Sequence, residues 1–166
     1  MDFDRTLNQL SERVHGEILE PDDEGYDDAR TVWNAMIDRR PAVIVRCTGT
    51  ADVMAAVNAA RKDDLLLSVR SGGHHVSGTA VCDDGLMIDL APMNGVQVDP
   101  DGQIARVQAG ATWGDVDHET QAFGLATPGG QDPNIGVAGL TLGGGVGWLS
   151  RKYGLTCDNL LAADVV

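Results

Sequence analysis

The sequence predicts an α+β fold: a small parallel β-α-β subdomain followed by a second mixed or antiparallel sheet with helices, incomplete at the C-terminus. Three observations carry this reading. Two strand-like apolar runs, Pro41-Ala42-Val43-Ile44-Val45-Arg46 and Leu65-Leu66-Leu67-Ser68-Val69-Arg70, flank a segment whose apolar residues recur at helical spacing. Two further short apolar runs follow, separated by a turn. Finally, two glycine-dense stretches each come just after an apolar run, where a chain leaving a strand can turn sharply.

Taken in order, residues 4–14 place Leu7, Leu10 and Val14 at helical spacing and predict a short N-terminal helix. Residues 16–25 read as an irregular acidic segment, and residues 26–34 as either a helical turn or an extended arm. The run 41–46 is a buried strand. Thr50-Ala51-Asp52 opens a helix with a capping residue, and Val53, Ala56, Val57 and Ala60 line one face of it. The strand 65–70 runs straight into the first glycine loop; strand, helix and strand make a parallel pair joined by a right-handed crossover. Strands over 85–90 and 104–109 follow, with Asp99-Pro100-Asp101-Gly102 as a turn between them. A helix runs from Trp113 to about Phe123 and ends on Gly124. After the second glycine stretch, residues 147–154 predict a short glycine-terminated helix, and residues 160–166 a strand just starting. Residues 1–38 form an N-terminal helix and acidic arm, and 39–166 the main domain.

A chain of 166 residues has room for one domain with a real core. Its 21 glycines lack a period, which excludes collagen and internal repeats and concentrates them in the candidate loops. The formal net charge is -13, with Lys62 and Lys152 the only lysines. Such a chain repels nucleic acid, whose binding depends on lysine and arginine neutralising phosphates. The acids are scattered, as in Asp22-Asp23-Glu24, Asp27-Asp28, Asp63-Asp64 and Asp83-Asp84, so they predict a solvated surface suited to high salt and a halophilic source. Cys47, Cys82 and Cys157 form no C-x-x-C pair, which predicts reduced thiols in a cytoplasmic protein. Neither a charged-then-apolar leader nor a membrane-spanning apolar run is seen, so a soluble chain with no membrane partner is expected.

The chemistry sits in Arg70-Ser71-Gly72-Gly73-His74-His75 and in Gly136-Val137-Ala138-Gly139-Leu140-Thr141-Leu142-Gly143-Gly144-Gly145. Glycine reaches positive φ without steric cost and has no Cβ to hold a ligand away, and successive amides in such turns form anion-binding concavities. Neither stretch is a nicotinamide fingerprint, because Gly143-Gly144-Gly145-Val146-Gly147 lacks the last glycine in register. No P-loop, G-x-S-x-G or H-E-x-x-H occurs. Two such loops, the first closed by a histidine, point to a diphosphate-bearing cofactor with a reactive ring.

Arg70-Ser71-Gly72-Gly73-His74, Gly78, the Gly129-Gly130 to Gly145 stretch and Arg151-Lys152-Tyr153-Gly154-Leu155-Thr156-Cys157-Asp158-Asn159-Leu160 resemble the flavin-binding domain of the berberine bridge enzyme-like FAD-linked oxidases. These belong to the vanillyl-alcohol oxidase/p-cresol methylhydroxylase superfamily, with its FAD-binding PCMH-type fold. The similarity covers residues 16–166. It implies that FAD is the cofactor and that the first loop holds its pyrophosphate. By the same resemblance His74 bonds covalently to the 8α carbon of the isoalloxazine, a task suited to an imidazole that is neutral near pH 7. His75 takes a position often held by asparagine, and a packing or supporting role is expected for it. The cysteine that gives many relatives a second flavin bond is replaced by Asp132, so no second cysteinyl link is expected.

Under this resemblance Arg70, Ser71, Gly72, Gly73, His74, His75 and Gly78 bind the cofactor from the first loop. Gly129, Gly136, Gly139, Thr141, Gly143, Gly144 and Gly145 bind it from the second. Two readings stay open at Arg70, the diphosphate or a salt bridge to an acid, and at Thr141, a phosphate oxygen or the core. Trp33, Trp113 and Trp148 are expected to be packing anchors. The implied reaction is oxidation of an alcohol or sugar C–OH by hydride transfer to flavin N5, followed by reoxidation of the flavin by an acceptor. In the family a separate substrate domain supplies the catalytic base, so no catalytic residue and no metal is assigned. The alternative is a non-catalytic flavin-binding fragment, or one half of a split enzyme whose partner chain supplies the substrate domain. The small-molecule substrate is left unidentified.

Overall fold

The computed structural model describes residues 3–166. It divides into two compact units, the first ending at Pro92 and the second spanning Met93–Val165. The architecture is α+β, with a mostly parallel sheet in the first unit and an antiparallel pair in the second.

In the first unit the elements run α1 (Phe3–Ser11), β1 (Glu17–Leu19), α2 (Tyr26–Arg30), β2 (Val43–Arg46), α3 (Thr50–Lys62), β3 (Leu67–Arg70) and β4 (Leu86–Asp89). The four-stranded sheet has the order β1-β2-β4-β3; β1 is antiparallel to β2, and β2 and β3 each pair in parallel with β4. The two strands of the expected β-α-β unit are therefore parallel but not neighbours, because β4 lies between them. Burial explains the order. Val43, Ile44 and Val45 of β2 and all four residues of β4 are buried, as interior strands covered on both faces must be. Leu67 and Val69 of β3 stay exposed, which suits an edge.

Leu10 is buried on α1 and Leu7 half-buried, but the helix stops at Ser11, short of the expected Val14. The open reading of residues 26–34 resolves into one helical turn, α2, entered through Gly25 in the left-handed region at φ 87°. Tyr26 on that turn donates its hydroxyl to the Pro41 carbonyl at 2.6 Å and packs with Leu19, Val32, Ile44, Val81 and Met87 as the core over one sheet face. The acidic segment read as irregular contains β1, missed because three residues are too few for a visible alternation.

The capping of α3 differs from expectation. Gly49 occupies the N-cap with no side-chain cap, and the buried face is Asp52, Ala56, Ala59 and Ala60, with Val53 and Val57 only half-buried. Asp52, 3% exposed, accepts hydrogen bonds from the amides of His15 (2.9 Å), Gly16 (3.1 Å) and Thr48 (2.9 Å) and from the Thr48 hydroxyl (2.9 Å). Burial pushes this carboxyl up, but the donated hydrogen bonds outweigh burial and hold it below its ordinary value.

In the second unit the elements are β5 (Val96–Asp99), β6 (Ile104–Val107), α4 (Trp113–Gln121), α5 (Val137–Leu142), α6 (Ser150–Tyr153) and a 3-10 turn, Cys157–Asn159. β5 and β6 are an antiparallel hairpin around the expected turn, where the Gly102 amide donates to Asp99 at 3.0 Å. The sequence reading found β6 and missed β5, a short run with alternating half-buried and exposed positions. A reciprocal capping box of Thr112 and Asp115 starts α4, and Trp113, Val116 and Thr120 are its buried side chains. Gly124 follows the helix at φ 67°, close to the expected end. Residues 160–166 form no strand: they are exposed and no described strand pairs with them. Among the described residues no helix is long and apolar enough to cross a membrane.

Candidate functional site

The first glycine loop leaves β3 at its carboxyl end, the edge where open parallel sheets present ligand sites. Arg70 is the last strand residue. It lies in register with Asp89 of β4, which pairs with Arg46 of β2, which in turn pairs with Glu17 of β1. Arg70 Nη1 donates to Asp89 Oδ1 at 3.1 Å, so one of the two readings left open for Arg70, the salt bridge, is realised. Its Nε is buried with no hydrogen-bond partner among the described residues.

Ser71 and Gly72 are half-buried. Gly73 is buried at φ 67°, and a Cβ there would lie 3.3 Å from Arg70 Nε. The loop requires glycine at this position both for its backbone and for its contact with the guanidinium. The Gly73 carbonyl accepts from the Trp33 amide at 3.1 Å. His74 is half-buried, and its imidazole stacks on the Trp33 indole with centroids 5.8 Å apart and planes inclined by 23°. His75 is exposed, and its Nδ1 lies 2.8 Å from the Ser77 hydroxyl. Gly78 is buried at φ 70°; its carbonyl accepts from Arg39 at 3.1 Å, and a Cβ there would press into Ile37 at 2.7 Å. Asn34 holds the middle of the loop by donating to the Val76 carbonyl at 2.8 Å.

The segment 33–39 thus clamps this loop, and sequence reasoning missed it. Trp33 is 62% exposed and Trp148 79% exposed, so neither is the expected packing anchor; only Trp113 is buried. Asp89 was also missed. Its signal was a carboxylate inside the apolar run 85–90, an anomaly in a strand otherwise built for burial.

In the second stretch many glycines face their own chain. Gly129 lies against the Trp113 ring, Gly130 against Trp113 and Leu140, and Gly145, at φ 78°, against Thr156; a Cβ at each would collide or crowd. Gly136 is buried, caps α5 and bridges to Thr112. Gly143 ends α5, and Gly144, at φ 103°, accepts from the Cys157 amide at 3.0 Å. Gly139 is exposed, and a Cβ there would meet nothing within 4 Å. The Thr141 hydroxyl donates to the Val137 carbonyl at 2.7 Å. Asp132 is exposed and accepts from the Asn134 amide at 2.8 Å as a local turn. Cys47 is buried, and burial, followed by the nearby Asp52 and Asp89, pushes its thiol up to about 12, an inert group.

A diphosphate needs fixed cationic donors and glycine backbone free of Cβ, and a flavin needs an aromatic neighbourhood. The unpartnered Arg70 Nε beside Gly73 and the stacked His74–Trp33 pair fit that group.

Residues 41–166 match the family described as FAD binding domain. The chain belongs to that family. It is a member of the berberine bridge enzyme-like, PCMH-type superfamily of FAD-linked oxidoreductases. It is 42% identical over 153 residues to the (R)-6-hydroxynicotine oxidase of Paenarthrobacter nicotinovorans, covering 92% of this chain and 33% of that protein. The crystal structure of 6-hydroxy-D-nicotine oxidase from Arthrobacter nicotinovorans superposes with a TM-score of 0.85 at 42% identity, covering 87% of this chain and 32% of that one. BBE-like 1 of Physcomitrella patens gives a TM-score of 0.86 at 29% identity, over 94% of this chain and 34% of that one. The FAD-binding chain thus spans about a third of the length of these relatives.

Proposed function

We propose that this chain is the FAD-holding part of an oxidoreductase that oxidises an alcohol or sugar C–OH, with His74 as the covalent attachment point of the flavin. The observation that carries the reading is the first loop: a half-buried imidazole stacked on Trp33, next to a glycine at φ 67° and a guanidinium with a spare buried N–H. FAD supplies the hydride acceptor at N5. The chain's own residues hold it. Arg70 and the backbone amides of residues 72–76 take the pyrophosphate, Trp33 keeps the His74 ring in one orientation, and Arg39 and Asn34 fix the loop backbone. Asp132, with no thiol, leaves the attachment single.

The named activity of one relative supports the substrate class: Phl p 4, a glucose dehydrogenase, matches at a TM-score of 0.87 and 28% identity, while the hydroxynicotine oxidase supports the oxidoreductase class alone. The test is acid precipitation of the purified holoprotein. The wild-type pellet is expected to stay yellow, while His74→Ala releases its flavin into the supernatant. A yellow pellet from His74→Ala, or no flavin in the wild type, overturns the proposal.

A further inference from the structure

Four charged residues, one from each strand, form a single row across the first unit's sheet: Glu17, Arg46, Asp89, Arg70. Their signs alternate. Each neighbouring pair is bonded, Arg46 Nη1 to Glu17 Oε2 at 2.7 Å, Arg46 Nε to Asp89 Oδ2 at 3.2 Å, and Arg70 Nη1 to Asp89 Oδ1 at 3.1 Å. Asp89 is the pivot. It is 1% exposed, and Oδ1 also accepts from the Ala91 amide at 3.1 Å.

A buried ion pair is a poor way to stabilise a sheet, since apolar residues of similar volume often do as well or better. What such a pair does well is fix geometry. A guanidinium has five donors in a rigid fork, so anchoring Nη1 on Asp89 decides where the remaining N–H groups point. In this loop Nε is brought beside Gly73, buried and unpartnered. Freed from Asp89, the side chain would be drawn to water and to the many surface acids. Arg46 and Glu17 act further along the row: Arg46 fills the second oxygen of Asp89, so the carboxylate cannot rotate toward it and abandon Arg70.

We infer that Asp89 is a positioning residue that aims Arg70 at the diphosphate of the cofactor, acting through the guanidinium and never touching the ligand. The inference rests on the reading of the first loop as the cofactor's pyrophosphate site. It predicts that loss of Asp89 damages recognition of the diphosphate and leaves recognition of the ring system intact.

The experiment uses the protein in a His74→Ala background, where FAD binds reversibly, with FAD, ADP and riboflavin as separate probes followed by fluorescence and calorimetry. Asp89→Asn and Arg70→Ala are each expected to weaken FAD and ADP by about tenfold, the loss of one charge-assisted hydrogen bond, and to leave riboflavin within about twofold. The double variant is expected to bind no worse than either single one. Additive losses, or an equal loss on all three probes, show a merely structural Asp89 and overturn the inference, as does a folded Asp89→Asn protein with unchanged ADP affinity. Arg70→Lys provides the arm that survives a folding failure of Asp89→Asn. Lysine lacks the rigid fork that holds one N–H on the carboxylate while aiming another along a fixed direction, so it is expected to weaken ADP like Arg70→Ala, and full ADP affinity in Arg70→Lys overturns the claim. If neither FAD nor ADP binds the His74→Ala or wild-type protein, the cofactor reading itself falls; if FAD and ADP bind and Asp89 is silent, only the positioning role falls.

Discussion

The first and second units solve the same local problem, a sharp glycine-rich turn after a packed element, by opposite means. The first loop is held from outside by polar bonds from Trp33, Asn34 and Arg39, and by a buried charge at its root. Of its glycines, Gly78 packs against Ile37 of its own unit, while Gly73 leaves room beside the Arg70 guanidinium. The second stretch is held from inside. Gly129, Gly145 and Gly147 are sites where other parts of the same unit press against bare backbone, and a Cβ at Gly147 would run into the Gly129 carbonyl. Glycine density alone therefore says little about a ligand; what a Cβ would meet decides whether a glycine serves the fold or a partner molecule.

The largest effect should come from breaking the internal packing of the second unit. Gly147→Ala is expected to lose about 3 kcal/mol or more, because a carbonyl oxygen cannot yield as a side-chain tip can. Gly139→Ala, in open space on α5, should be neutral or gain up to about 1 kcal/mol from helix propensity. Thermal melts of the two variants compare them directly, and equal losses would erase the distinction between the two kinds of glycine.

Acid should strike the first unit instead, since Asp52, a buried carboxylate held below its ordinary value by the hydrogen bonds it accepts, lies there. Asp52 has a folded value below its ordinary one, so its contribution is complete above the unfolded carboxyl range and is lost as pH falls through the folded value. Urea midpoints are expected to drop below about pH 4, and Asp52→Asn should flatten that acid limb while lowering stability near neutrality by about 1–3 kcal/mol. An unchanged acid limb in the variant would mean that Asp52 is no latch. The smallest effect is expected from salt, which acts on the surface of both units alike: with a net charge of -13, the urea midpoint should rise between dilute buffer and molar KCl through screening of self-repulsion.

Much of the fold was legible in the sequence. The runs ending at Arg46, Arg70 and Asp89 read as strands because their apolar residues are contiguous, and α3 because its alanines and valines recur at helical spacing. β1 and β5 were not legible, because three or four residues carry too little periodicity. The loop motif marked His74 and Arg70 through its glycines. Trp33, Asn34 and Arg39 lie outside that motif, and nothing in their own neighbourhood signals that they reach it from some 40 residues away.

The linear order of residues determined by itself which segments are apolar, where the chain must turn, and the family. Only the tertiary structure decided that β4 separates β2 from β3, and hence that Glu17, Arg46, Asp89 and Arg70 stand in one row. Sheet order is set by competition among strands for the buried interior, a property of the whole ensemble of side chains. No single stretch of sequence contains it.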